Sequence, residues 1–321
     1  MKKNFLLLLF LLLFSCYSTN KKEINDVFLP NIVSSNISER DITISDKYKE
    51  LYFTSMCNGI CFICKCIKEN NHWNNPKIAK FSGNRNYLDV EACLSHSGDS
   101  LFFMSTRAPK NMEQKSGWYY QNIWLCTRTK NNKWSKPQML PKIINSGKGE
   151  YYPSISKKGN FYFTREYDTN KRGIFVSKCI NGKFSKPIML PKEINANNNI
   201  YNGYISPNED FMVVCSRIKD NCIGRSDYYI SFNKGNGKWT PIINMGKKIN
   251  NKGSYANSMY ITENGKTLLF SGIKISDEFK KNPSNINEIR NYYKEAKNGN
   301  MDILKEDASI LDSLKKVALN Q

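Results

Sequence analysis

Histidine is almost missing from this chain: its 321 residues include two, His72 and His96. Both sit in polar turns, which argues against histidine-based hydrolysis and against a histidine-ligated metal. No Gly-x-Ser-x-Gly elbow and no glycine-rich phosphate loop is present, so two common catalytic frameworks are excluded. No apolar run is long enough for a membrane-spanning helix; the longest, residues 5–14, stops at Ser15. Acidic residues are scarce beside basic ones, 28 against 48, and the formal net charge is +20. The lysines scatter through turns. No basic helix or RNA-type aromatic motif goes with that charge, so nucleic acid is not an expected partner.

What is present begins with an export pattern. Lys2 and Lys3 precede the apolar run, and Ser15-Cys16 follows it. A positive start, a short apolar stretch and a small residue at the cut describe a signal peptide over residues 1–15. Leu13-Phe14-Ser15-Cys16 resembles a bacterial lipobox. That resemblance implies lipidation of Cys16 and a polar tether over 16–26. No Asp directly follows Cys16, so the resemblance implies the outer membrane, with the protein facing the periplasm or the surface. Plain secretion is the alternative. In such a place a basic chain suits lipid headgroups, lipopolysaccharide or acidic glycans.

The unit that organises the rest is WSKPQMLPKIINSGKGEYYPSISKKGNFYFT, residues 134–164. It reads as an aromatic-Ser-x-Pro strand, an Ile-Asn-Ser bend, a short polar strand, a tight turn and an aromatic strand. Drifted copies run along the chain, the mark of a repeat architecture. Ser45, Ser95, Ser156, Ser206 and Thr262 close the polar strands, 50 to 61 residues apart. Turns rich in Gly, Asn, Asp or Lys follow, which suit hairpins. Then come apolar strands such as Leu51-Tyr52-Phe53-Thr54 and Leu101-Phe102-Phe103-Met104. A third strand follows a variable loop. A fourth carries Pro76, Pro137, Pro187 and Pro241. Proline donates nothing to a ladder, so this strand belongs at an edge. Four antiparallel strands with an outer edge describe a propeller blade.

The chain ends set the blade count. The fifth unit has no aromatic-x-x-Pro strand, whereas the mature chain opens on an unpaired one, Phe28-Leu29-Pro30-Asn31-Ile32-Val33. Joining the two closes five blades and removes an open edge. Six blades, the alternative, need a further unit that is not found. The expected fold is therefore all-β: a five-bladed propeller over 27–306, closed by the N-terminal strand. A short C-terminal helix is expected within 307–321, with Ile310, Leu311, Leu314, Val317 and Ala318 on one face.

Trp134-Ser135-x-Pro137, Ile144-Asn145-Ser146 and Glu150-x-x-Pro153-Ser154-Ile155-Ser156 resemble the TolB-type, WD-like β-propeller repeats of bacterial envelope lipoproteins. Met301-Asp302-Ile303 is similar to that family's late Asp-Ile/Leu-Tyr strand. The resemblance covers nearly all of the mature chain and implies a propeller of the cell envelope. It departs from the family in lacking the Pro-Asp-Gly turn, and Ile42, Ala92, Gly203 and Met259 stand where the central unit has Pro153.

Four residues before each period Ser or Thr stand Asp41, Glu91, Tyr152, Asn202 and Ser258. These are expected to ring one mouth of the channel, with Glu39, Asp89 and Glu150 two residues further out. The long loops 106–121, with Trp118 and Tyr119, and 272–300, with Tyr292 and Tyr293, are expected over the same mouth. Aromatics above a polar ring suit a glycan or a peptide. Asp41 and Glu91, on adjacent blades, also fit a glycosidase acid and base. The remaining ring positions supply no third acid. Cys57, Cys61, Cys64 and Cys66 crowd one hairpin, but Cys64 aligns with Cys126, Ser177 and Ser231, so these read as small packing residues. A disulfide from Cys57 to Cys61 or Cys66 stays open.

The expected function is an envelope-anchored, non-catalytic binding or scaffolding lipoprotein that engages a protein or glycan at the mouth, with no enzyme activity, metal or cofactor. The alternative is a glycan hydrolase working through Asp41 and Glu91. A third reading is a structural subunit of a surface assembly.

Overall fold

The structure, a computed structural model, describes residues 26–320. The signal segment, Cys16 and the tether up to residue 25 lie outside them. Blade 1 comprises Ser38–Ser45, Glu50–Cys57, Ile60–Glu69 and Lys77–Ile78. Blade 2 comprises Asp89–Leu94, Ser100–Ser105, Asn122–Thr127 and Gln138–Met139. Blade 3 comprises Glu150–Ile155, Phe161–Asp168, Lys171–Ser177 and Ile188–Met189. Blade 4 comprises Tyr201–Ile205, Phe211–Ser216, Asp227–Gly235 and Ile243–Asn244. Blade 5 comprises Met259–Ile261, Thr267–Ile275 and Asn298–Asp307. Neighbours pair antiparallel throughout.

Apolar residues on both faces of each second strand explain why five sheets assemble into a wheel. Leu101 and Phe103 point into the junction with blade 1, and Phe102 points into the junction with blade 3. Phe161 and Phe163 face blade 2 while Tyr162 faces blade 4. Leu268 and Phe270 face blade 4 while Leu269 faces blade 1. A strand alternates its side chains between faces, so one apolar strand serves two interfaces. Five wedge-shaped cores result in place of one, with a sixth cluster in which Cys61, Val90, Met104 and Tyr151 join blades 1 to 3. Each fully buried aliphatic or aromatic side chain contributes about 1.5–3 kcal/mol.

The prolines confine the fourth strand. In blades 1 to 3 it is two residues long and starts directly after Pro76, Pro137 or Pro187. The Ile-Asn bend then pins the blade edge. Asn145 Oδ1 accepts from Ile123 N, and its Nδ2 donates to Ile123 O and Leu140 O. Asn195 repeats these bonds on Ile174 and Leu190, and Asn250 bonds Tyr228 in the same way.

The wheel closes at the chain ends. Val27 bridges Leu304 antiparallel, Phe28 N donates to Ile303 O, and Lys305 N donates to Asp26 O. The pairing is shorter than the expected 28–33 strand, because Leu29 and Asn31 take left-handed backbone and turn the chain. Ser34 then fills the role of the bend asparagine: its hydroxyl donates to Ile303 O and accepts from Ile303 N.

Three expectations are corrected in detail. The 272–300 segment is not one loop: flanking strands extend to Ile275 and from Asn298, and a short helix, Ile286–Tyr292, capped by Asn285, lies between. In the C-terminal helix Ile310–Leu319, Ile310, Leu311, Leu314 and Ala318 pack on blades 4 and 5, but Val317 is exposed. Strand register also shows that Cys66, not Cys64, matches Cys126 and Ser177, since these three pair with Leu51, Leu101 and Phe161. Cys66, Cys126, Ser177 and Ser231 are all fully buried, and Ser177 and Ser231 each donate to an outer-segment carbonyl. The nine described cysteines are unpaired.

Closure by so short a pairing gives Ser34 disproportionate weight. Ser34→Ala takes the acceptor from the Ile303 N–H and leaves Phe28 N as the donor to its carbonyl, and is expected to lower the unfolding free energy by about 1–3 kcal/mol. Urea denaturation followed by tryptophan fluorescence checks this; an unchanged midpoint would count against closure through Ser34.

Candidate functional site

The innermost strands of blades 1 to 4 each carry a bulge at the start. Register slips between Arg40 and Thr43, Val90 and Cys93, Tyr151 and Ser154, and Tyr201 and Tyr204. At each slip one residue takes left-handed backbone: Asp41 at φ 60°, Glu91 at 62°, Tyr152 at 50° and Asn202 at 49°. That conformation is uncommon for side chains other than Asn or Asp and costs about 1–2 kcal/mol. The bulge takes a backbone N–H out of its ladder, and a buried N–H needs another partner.

The partners come largely from the neighbouring blade. Ser258 Oγ accepts from Asp41 N at 2.8 Å. Asp41 Oδ2 accepts from Glu91 N at 3.2 Å, and Glu91 Oε2 accepts from Tyr152 N at 2.7 Å. Asn202 N donates to Thr164, while Asn202 Nδ2 donates to Asn257 O of blade 5. The Tyr152 hydroxyl crosses to accept from Met259 N. The five ring residues read from the sequence are thus brought together, and all are buried. They link blade to blade.

Arg40 was not anticipated. Its guanidinium lies 3.2 Å from Asp41 Oδ2, 3.7 Å from Glu91 Oε1 and 3.1 Å from Asn257 Oδ1. It therefore spans blades 1, 2 and 5 and is itself buried. Its only signal in the sequence is an arginine next to a bulge acid. The cavity beneath, lined by Asp41, Glu91, Tyr152, Ser154 and Tyr204 and reaching His96, is about 50 Å³. That holds a few waters and no sugar ring.

The outer acids differ in their partners. Asp89 pairs with Arg107 and Glu150 with Arg165, both at 2.8 Å. Among the described residues Glu39 has no cation partner; Ser35 donates to it through both N–H and hydroxyl. Burial raises the Glu39 carboxyl to about 8; the Ser35 bonds oppose this and Asp302 adds to it. Burial also raises Asp302 to about 6. Glu91 is raised by burial, with Arg40 opposing and Asp41 reinforcing, to about 7. Burial raises Asp41 too, against the pull of Arg40.

The aromatics lie elsewhere. The turn from second to third strand emerges at the end where the first strand begins, so 106–121 and 276–297 rise from the same face as the ring. Trp118 is 45% exposed and Tyr119 69% exposed, with Tyr119 edge-on to Tyr120 at 4.9 Å. Tyr293 packs edge-on to Phe279 and stays half-exposed. Exposed Tyr255 lies under the Arg225 guanidinium. None of the hydrogen bonds of Trp118 or Tyr119 among the described residues reaches the ring.

No protein-family model matches the chain, and no curated protein does. Solved structures do resemble it. One is TolB from Acinetobacter baumannii, at 12% identity and a TM-score of 0.48, covering 84% of this chain and 55% of that one. The chain thus spans about half the length of that TolB. Another is a GH43 endo-arabinanase from Bacillus licheniformis, at 13% identity and a TM-score of 0.49, covering 86% and 95%. A Bacillus subtilis arabinanase is similar at 12% identity, with a TM-score of 0.49 and coverage of 85% and 95%. Likeness at this level assigns no activity. It does correct one expectation: glycoside hydrolases stand among the structures sharing this wheel, so the reading of the chain as no enzyme is withdrawn.

Glu39 makes the stability of the wheel depend on pH. Its folded pKa lies above its ordinary 4.5, near 8. Between those values the folded protein holds a proton that the unfolded chain has released, so stability falls as pH rises through this window. Glu39→Gln is expected to flatten the fall, and Tm measured from pH 4.5 to 8 checks it. Parallel curves for both proteins would refute the assignment.

Proposed function

We propose that the protein is an envelope protein that engages a glycan on the face where its innermost strands begin. The observation carrying this is the placement of Trp118 and Tyr119. Two large aromatics are held out in solvent on a loop, above a face whose centre is polar and ionic. Exposed aromatic faces stack on the apolar faces of sugar rings, and nearby polar groups orient the hydroxyls. The export pattern and Cys16 support a lipid-anchored, outer-membrane location, reached through the short tether. A lipoprotein-type modification with several acyl chains would hold the chain firmly there.

Hydrolysis is the second reading, and a specific arrangement favours it. Glu91 keeps a proton near neutrality beside Asp41, and one guanidinium touches both carboxylates. A protonated acid next to a carboxylate is the pairing that cleaves glycosidic bonds. In this role Glu91 would protonate the leaving oxygen and Asp41 would serve as base or nucleophile. A sugar reaches them only after the Arg40 guanidinium swings off the mouth.

One experiment separates the readings. The mature chain is incubated with fragments of cell-wall and host glycans, and retention and new reducing ends are measured together. Trp118→Ala with Tyr119→Ala is expected to weaken retention about tenfold, as the loss of about 1–1.5 kcal/mol of aromatic contact predicts. Retention unchanged by that pair rejects the loop as the site. New reducing ends that vanish in Glu91→Gln establish hydrolysis; their absence over the whole panel rejects it. The anchor is tested by feeding cells a palmitate analogue. Label is expected on the wild type and not on Cys16→Ala, and label on both rejects lipidation at Cys16.

A further inference from the structure

The outer strands of blades 1 to 4 and the turns leading into them carry no acid. Residues 70–88, 128–149, 178–192 and 228–252 contain no Asp or Glu. These segments hold the turn into the outer strand and that strand for blades 1 to 4; in blade 3 Glu193 stands between the outer strand and the bend asparagine Asn195. Five acids, Glu39, Asp41, Asp89, Glu91 and Glu150, are on innermost strands, while others, such as Asp99, Glu113 and Asp220, lie in turns and loops. Blade 5 breaks the pattern, since its last strand carries Asp302, Glu306 and Asp307.

Within the acid-free segments the repeat places lysine at fixed positions. Lys133, Lys183 and Lys238 each precede the aromatic residue at the turn into the outer strand. Lys142, Lys192 and Lys247 each stand three residues before the bend asparagine. All six are exposed. Among the described residues none of them has an ion-pair partner, although other lysines do. Blades 2, 3 and 4 are consecutive, so the six form two rows following the curve of the rim.

We propose that this rim is a binding surface for an acidic polysaccharide, a polymer bearing a carboxylate or similar anion along its length. Like charges held close without counter-ions create a field that an extended polyanion neutralises. The curvature selects between anionic partners. A flat bilayer meets a wheel along one arc and leaves the other blades outside the screening length of about 8–10 Å. A flexible chain follows the rim and meets both rows on all three blades. The rim is distinct from the aromatic face, and this inference stands whether or not that face binds anything.

The test uses the mature chain and sodium polygalacturonate as the probe, with dextran as the neutral control. One variant changes Lys142, Lys192 and Lys247 to Gln; a second changes Lys280, Lys281 and Lys294 to Gln. The two have equal net charge, and their Tm values verify folding. The rim variant is expected to bind polygalacturonate about tenfold more weakly, with the second variant near wild type. Wild-type binding should fall steeply between 50 and 200 mM NaCl on the order expected for several released counter-ions. Equal weakening in both variants would show that only net charge matters and would overturn the proposal. Retention by dextran equal to that by polygalacturonate would overturn it too. So would binding to phosphatidylglycerol vesicles or duplex DNA that is as tight as binding to the polymer and equally sensitive to the rim variant.

Discussion

A side-chain oxygen of one blade receiving a backbone N–H of the next is the contact on which this molecule depends. The bulges make it necessary. Each left-handed residue turns an N–H out of its sheet, and the channel is too narrow to hydrate such groups freely. The acceptor must arrive from beside it, and the repeat supplies one from Ser258, Asp41 or Glu91. A second tier lies below. Thr43 accepts from Leu94 N, Ser154 from Ile205 N, and the Tyr204 hydroxyl from Ile261 N. Polar stitching along the axis and apolar wedges further out thus perform different tasks. The wedges supply most of the free energy; the stitching fixes how far apart the blades stand.

Carboxylates in that inner ring impose an electrostatic cost that neutral acceptors would avoid. Arg40 meets part of it by lying between Asp41 and Glu91, and Glu91 meets part by holding its proton. Arg107 and Arg165 do the same for the outer acids Asp89 and Glu150. A buried pair of this kind contributes little net stability, yet removing one member leaves the other uncompensated. The arrangement therefore resists single changes.

Much of this was legible from residue order. The period Ser and Thr residues, the prolines and the Ile-Asn bend each answer to a local rule of backbone chemistry, so they mark strands, edges and bends directly. Closure followed from reading residues 28–33 as an unpaired strand of the type the fifth unit lacks, and Ser34 does stand where Asn145 stands. The ring residues were found because the repeat aligns them. Their burial and mutual bonding were not, because a bulge shifts which side of the strand faces the axis and leaves no composition signal. Arg40 escaped for a related reason: it is unmatched in the other units, where Val90, Tyr151, Tyr201 and Asn257 occupy its place. Alternation within one strand also misled. Cys64 and Cys66 look equivalent in sequence, and only pairing with Leu51 identifies Cys66 as the repeat position.

These constraints also decide where chemistry can vary. A ring residue that holds two blades in register cannot be exchanged for a better ligand without reopening the seam. Asp41 and Glu91 are tied in this way, and a cavity of about 50 Å³ leaves a sugar no approach past Arg40. The loops 106–121 and 276–297 carry no such duty. They differ in length and sequence from their counterparts, which in blade 1 shrink to the two residues Asn58 and Gly59 between strands. Recognition residues accumulate where replacement leaves the scaffold intact. Trp118 and Tyr119 belong to that category, as do the rim lysines, whereas the axis acids do not. A catalytic role for the acid pair would thus demand that one side chain, Arg40, be both the neutralising ion of the resting wheel and the gate that admits substrate.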